Sequence, residues 1–127
     1  MYNQNNIFAK IIKKEIPSEV VLENEYMLIF KDINPAAPIH LIAIPKGEFT
    51  SFDDFSENST QEEMRAFFKG IRNITKKLKI DESGYRLVTN HGKDAIQTVE
   101  HFHIHILAGK KLGSIISEDK YHNNEAL

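Results

Sequence analysis

Residues 99–109 read VEHFHIHILAG and put His101, His103 and His105 on alternate positions, with Phe102, Ile104 and Ile106 between them. Extended backbone sends successive side chains to opposite faces, so the three imidazoles share one face and the three apolar side chains the other. Neighbouring histidines on such a face have Cα atoms about 7 Å apart. Protonating all three would stack like charges, so at least one is expected to be held neutral. A neutral imidazole binds zinc or copper, and His40 or His91 would be further ligands for such a site. It also attacks electrophilic phosphorus, forming a covalent intermediate that water resolves. A lone histidine here would more simply be a half-buried side chain bonded to a backbone carbonyl, but three in strict alternation argue for a site. Spacing alone does not separate the metal from the nucleophile.

The elements that would position this stretch follow from periodicity. Phe8, Ile11 and Ile12 after Asn5 or Asn6 predict a short helix that Pro17 stops. EVVLE and YMLIFKD, separated by Asn24-Glu25, predict a hairpin, and HLIAIP (40–45) a third strand. FTSFDDFSENS reads as a polar connection. Ser59 and Thr60 each precede a glutamate by three residues, the capping-box pattern, and Met64, Phe67, Phe68, Ile71, Ile74 and Leu78 continue an apolar stripe. That predicts a long helix from about Thr60 to Lys79, its stripe facing a core or a subunit interface. Strands at 84–90 and 101–107 complete a set of five, with residues 91–100 as a loop between them.

A chain of 127 residues with 41% hydrophobic and 27% charged residues suits one globular domain with its own core. With no cysteine, disulfides, thiolate-bound zinc and iron–sulfur clusters are excluded. A net charge of −2 with scattered lysine pairs argues against nucleic-acid binding. The polar N-terminus and the lack of an apolar run near the ~18 residues of a membrane span predict a cytoplasmic protein with no membrane partner.

HFHIHIL resembles the alternating signature of the histidine-triad (HIT) nucleotide-binding family. IFAKIIKKEIPSEVVLENEYMLIFKDINPAAPIHLIAIPK (7–46) is similar to the N-terminal half of its Hint branch, including the Asp-Ile-x-Pro-x-Ala-Pro-x-His segment from Asp32 to His40. NHGKDAIQTVEHFHIHILAGKKLG is similar to the C-terminal half. The resemblance covers most of residues 7–113 and implies a HIT domain over 1–113 with a tail at 114–127. The implied fold is α+β: a five-stranded antiparallel sheet with one long and one short helix, two copies pairing as a homodimer into a ten-stranded sheet.

The same resemblance implies roles. His103 would attack the α-phosphate of a nucleotide; at an ordinary pKa near 6.5 an imidazole is already roughly three quarters neutral at pH 7. His101 and His105 would orient it and complete the phosphate site, a backbone carbonyl near His101 fixing the tautomer of His103. His40 matches a fourth histidine near the triad. Gln97 and Thr98 would face the phosphate and leaving group, where donors stabilise developing charge, and Asn90 the phosphate end. Asp32 would accept both ribose hydroxyls, with Phe8, Ile11, Phe30 and Ile33 as apolar walls around the base. Ile96 stands where the family usually has glycine, Glu100 where it has an aromatic or small residue, and the tail lacks the tryptophan segment of many Hint proteins.

The implied activity is hydrolysis of purine nucleoside 5′-phosphoramidates or related conjugates through a nucleotidyl-histidine intermediate, with no metal or other cofactor. Three alternatives remain open: a Fhit-like dinucleoside polyphosphate hydrolase, a nucleotide-binding or scaffolding module with vestigial catalysis, and a zinc site. A transferase branch typically loses the third histidine, which is present here as His105.

Overall fold

The computed structural model describes residues 1–115, so most of the expected tail at 114–127 lies outside the described residues. The chain opens with helix α1 (Ile7–Ile12), where the Asn6 side chain accepts the Ala9 N–H and one face buries Phe8, Ala9 and Ile11. Strands β1 (Val20–Glu23) and β2 (Met27–Lys31) form the expected hairpin. Its turn is closed by Asn24, whose side-chain oxygen accepts the N–H groups of Tyr26 and Met27 at 2.8 and 3.0 Å. Strand β3 (Ile39–Pro45) pairs antiparallel with β2, Ile29 opposite Ala43 and Phe30 opposite Ile42.

Two further strands, β4 (Tyr85–Val88) and β5 (Ile104–Ala108), complete one antiparallel sheet in the order β1-β2-β3-β5-β4. The α+β architecture expected from the sequence is the one observed. Strands β2 and β3 read as near-continuous apolar runs because both faces are covered. One core joins Met27, Ile29, Leu41, Ala43, Phe67, Ile71, Ile74, Phe102, Ile104 and Ile106. The other, on the opposite face, joins Phe8, Ile11, Leu28, Phe30, Ile42 and Ile44.

The first core is roofed by α3 (Gln61–Lys77), which starts with a complete capping box: Thr60 accepts the Glu63 N–H, and the Glu63 carboxylate accepts the Thr60 N–H. Its stripe is only partly interior, with Phe67, Ile71 and Ile74 buried and Phe68 and Leu78 partly exposed. Gly70 faces the Met27 thioether so closely that any Cβ there would overlap it, which lets the helix seat low on the sheet.

Three details differ from the sequence expectation. The stretch read as a polar connection contains helix α2 (Phe52–Asn58). Ser51 caps it, Asp53 and Asp54 sit favourably in its first turn, and Phe55 is buried in stacked contact with Phe102 at 4.8 Å. A single turn, α4 (Ile80–Ser83), follows Lys79 and buries Ile80. Strand β5 begins at Ile104 rather than 101, because the Phe102 N–H leaves the ladder to donate to the Phe49 carbonyl at 2.7 Å. No helix among the described residues is long and apolar enough to cross a membrane.

Candidate active site

The alternation in HFHIHI survives the late start of β5. Phe102, Ile104 and Ile106 enter the core beneath α3, while His103 and His105 turn to the α1 face. There they line a cavity of about 340 Å³, a size suited to a small ligand. Helix α1 and strand β2 with the residues after it contribute Phe8, Ile11, Phe30, Asp32 and Ile33; the loop between β4 and β5 contributes Asn90, Ile96, Gln97 and Thr98. Ten of the twelve expected site residues therefore border one cavity. His101 and His40 do not.

His101 is completely buried behind the cavity. Its Nε2 lies 2.8 Å from the Pro45 carbonyl, and a carbonyl only accepts, so that nitrogen carries the proton. Nδ1 is then an acceptor for the Tyr2 hydroxyl at 2.6 Å. His103 donates through Nδ1 to the His101 carbonyl at 2.7 Å, which leaves the lone pair on Nε2. Phe8 packs edge-on against the His103 ring at 4.9 Å.

The same reasoning fixes the other pair. The Ala36 N–H donates to His40 Nδ1 at 3.0 Å, so the His40 proton sits on Nε2. That Nε2 lies 2.9 Å from His105 Nδ1 and 3.4 Å from an Asp32 carboxylate oxygen. His105 Nδ1 therefore accepts, and its own proton is on Nε2, a donor for the cavity. His40 thus acts on the cavity through His105 and Asp32.

Burial is the leading cause of the shifts in all three triad imidazoles. It pushes His101 and His105 down to about 4 and lowers His103 as well. Like-charge repulsion, the cause expected from the spacing of the histidines, is secondary: for His105 desolvation comes first, and the repulsion that protonated imidazole neighbours would add comes after it. All three rings are neutral at pH 7.

Asp32, His40 and His105 bring ligand atoms within 4.8 Å of one another, a spacing a metal ion can bridge. The hydrogen bonds do not suit one. A metal at His40 Nε2 would force the proton onto Nδ1, where it would oppose the Ala36 N–H. Residues 91–98 carry a second adjustment of the expected roles. Gln97 borders the cavity, but its carboxamide oxygen accepts the Gly92 N–H while its nitrogen donates to the Thr50 and Val99 carbonyls. Both amide hydrogens are thereby engaged by backbone, and Gln97 holds the loop. Glu100 is exposed and does not border the cavity. His91 is also exposed and outside it.

Tyr2 is the residue that pattern reading missed. It lies in a polar stretch with no periodicity, and its partner is 99 positions away, so no local signal marks it.

A HIT domain family model matches residues 13–112. An uncharacterized HIT-like protein of Rickettsia prowazekii is 45% identical over 119 residues, 94% of this chain and 99% of that protein. The purine nucleoside phosphoramidase of Escherichia coli is 35% identical over 114 residues, covering 90% of this chain and 95% of the enzyme. Among solved structures, a HIT family hydrolase from Clostridium thermocellum superposes with a TM-score of 0.81 at 40% identity, over 90% of this chain and 98% of that one.

Proposed function

This chain belongs to the histidine-triad (HIT) family, and from that membership and the tautomer of His103 we propose that it hydrolyses purine nucleoside 5′-phosphoramidates or related nucleoside phosphate conjugates. The observation that carries the reading is the 2.7 Å bond from His103 Nδ1 to the His101 carbonyl. It leaves a neutral, lone-pair-bearing Nε2 for the cavity that His103 borders.

In the proposed reaction Nε2 attacks the α-phosphorus, the P–N bond to the amine breaks, and the departing nitrogen takes a proton from solvent. The ring is then a nucleotidyl imidazolium still bearing its Nδ1 proton, and the His101 carbonyl stabilises that positive charge. The His105 Nε2–H donates to a phosphoryl oxygen, its tautomer set by His40. Water next attacks phosphorus, the P–Nε2 bond breaks, the water's proton goes to solvent, and the nucleotide is released. Phe8, Ile11, Phe30 and Ile33 enclose the base, and Asp32 accepts from the ribose hydroxyls.

Charge favours a phosphoramidate over a dinucleoside polyphosphate. Lys31 is the sole permanently cationic side chain among the described residues bordering the cavity, and it is paired with Glu19 at 2.6 Å. A polyphosphate bridge would enter with little to balance it. The name of the Escherichia coli relative, a purine nucleoside phosphoramidase, supports the same class. We place the enzyme in the cytoplasm as a homodimer requiring no metal.

The test is release of a fluorescent amine from an adenosine 5′-phosphoramidate by the wild type, by His103→Ala and by the wild type with chelator. Activity should survive chelator and fall by about 10³-fold or more in the mutant. Loss of activity with chelator would transfer the chemistry to a metal; wild type and mutant equally inert would leave a nucleotide-binding module.

A further inference from the structure

The triad accounts for nucleophile, orienting carbonyl and phosphate donor, yet the most buried of its imidazoles is held from outside the triad by Tyr2. Residue 2 precedes the first helix, and its hydroxyl meets His101 Nδ1 at 2.6 Å with the rings edge to face at 5.5 Å. The segment is anchored locally: Asn6 caps α1 and bonds back to the Asn3 carbonyl, and Gln4 bonds to Glu48. Tyr2 thus arrives from a tethered strap.

We propose that Tyr2 is a positioning residue for the nucleophile, acting through His101. His101 has two ring nitrogens and a fixed partner for each, Pro45 carbonyl on one side and Tyr2 hydroxyl on the other. The ring therefore has neither rotational nor tautomeric freedom. Its own main-chain carbonyl receives the Nδ1 proton of His103. Phe8 touches both rings edge-on, His101 at 6.3 Å and His103 at 4.9 Å, so displacement of one imidazole is passed to the other.

Among the described residues, the charged and titratable groups that act on His101 are Tyr2, His103 and Glu48. Burial raises the Tyr2 phenol, which keeps it a proton donor. Without the hydroxyl, Nδ1 of a fully buried imidazole becomes an acceptor with no partner, a state that costs more than the bond itself gains. The ring can relieve it by rotating away from Pro45 or by taking a proton beside His103; either change disturbs the carbonyl that orients Nε2.

Two variants separate this role from packing. Tyr2→Phe removes one oxygen and keeps the ring; Tyr2→Ala removes both. On the phosphoramidate, Tyr2→Phe should lower kcat about tenfold, the effect of one unsatisfied buried acceptor, with KM within about twofold, and Tyr2→Ala should be no less impaired. Asn5→Ala, at an exposed position of the same strap whose bond to Asn3 is made by its backbone N–H, should retain wild-type kcat. Long-range ¹H–¹⁵N spectra of the imidazoles, read without substrate, should show His101 as a single Nε2–H form and His103 as a single Nδ1–H form. Tyr2→Phe should broaden or mix both.

A fully active Tyr2→Phe beside an impaired Tyr2→Ala would make the ring a packing element and overturn the proposal. Unchanged kcat and spectra in Tyr2→Phe would overturn it equally. The role rests on His103 as nucleophile, but the spectra do not. A wild type inert toward phosphoramidates fails the proposed activity, and altered imidazole spectra in Tyr2→Phe would still establish the positioning.

Discussion

At the scale of single residues, the site is built from neutral imidazoles whose neutrality is enforced by burial, and that has a consequence for stability. A histidine held near 4 when folded and near its ordinary 6.5 when unfolded binds more protons in the unfolded state at every pH between those values. Its contribution is therefore full above about pH 6.5 and declines as pH falls toward 4. For fully buried His101 the loss amounts to about 2 kcal/mol by pH 5. His103 and His105 add in the same direction. Glu23, Asp54 and Asp81 have lowered values, so their contributions persist at pH 5 and fade only on further acidification. The urea midpoint should drop clearly between pH 7 and pH 5; an unchanged midpoint would mean that His101 is not a buried neutral ring. Catalysis follows the same sign, and the acid limb of the kcat/KM profile should lie below pH 6.5, because the lowered pKa of His103 keeps Nε2 unprotonated there.

At the scale of elements, the loop between β4 and β5 carries the least expected backbone. Ile96, where the family usually has glycine, has φ +58° and is 75% exposed. A β-branched residue is an outlier in the left-handed region, and such conformations cost on the order of 1–3 kcal/mol. The loop imposes it: Ile96 N–H donates to the Lys93 carbonyl, Gln97 N–H to the Gly92 carbonyl, and the Gln97 side chain ties the turn to Thr50 and Val99. Ile96→Gly should raise stability by about 1 kcal/mol, a Tm gain of roughly 3–5 °C, because glycine enters that region without strain. A lower Tm would show that the Ile96 side chain packs more favourably than its exposure implies. Elements with local signals were legible in the sequence: the capping box at Thr60 and Glu63 marked the start of α3, and strict alternation divided Phe102, Ile104 and Ile106 from the histidines. Elements fixed by distant partners were not. Helix α2 carries a local cap at Ser51, but what anchors it is the stacking of Phe55 on the distant Phe102, and β5 starts late because Phe49 claims the Phe102 N–H. The same holds within the site, where the Asp32 and His103 positions follow the family motif while Tyr2 and the loop-holding role of Gln97 depend on contacts formed only after folding.

At the scale of the whole molecule, the two edges of the sheet are unequal. The β1 edge carries a register irregularity between Val20 and Leu22 and a cluster of ion pairs in which Lys14 and Lys46 share Glu23 and Lys31 meets Glu19. Irregular pairing and charge are the usual protections of an exposed edge. The β4 edge shows no comparable charge pairing among the described residues, and it presents Tyr85 and Leu87, each 42% exposed. These lie opposite Ala108 and Ile106, on the face that α3 covers. An unprotected edge flanked by apolar side chains and the half-exposed Phe68 of α3 is suited to pairing with its own copy about a two-fold axis, which extends five strands to ten. The homodimer proposed above should therefore form through β4. Sedimentation equilibrium should give twice the chain mass of 14.6 kDa for the wild type and a single chain for Tyr85→Lys/Leu87→Lys, with the far-ultraviolet circular dichroism retained because both side chains are surface groups in the monomer. A monomeric wild type would remove the dimer; a dimeric double variant would move the interface away from β4, leaving the exposed face of α3 as the surface to substitute next.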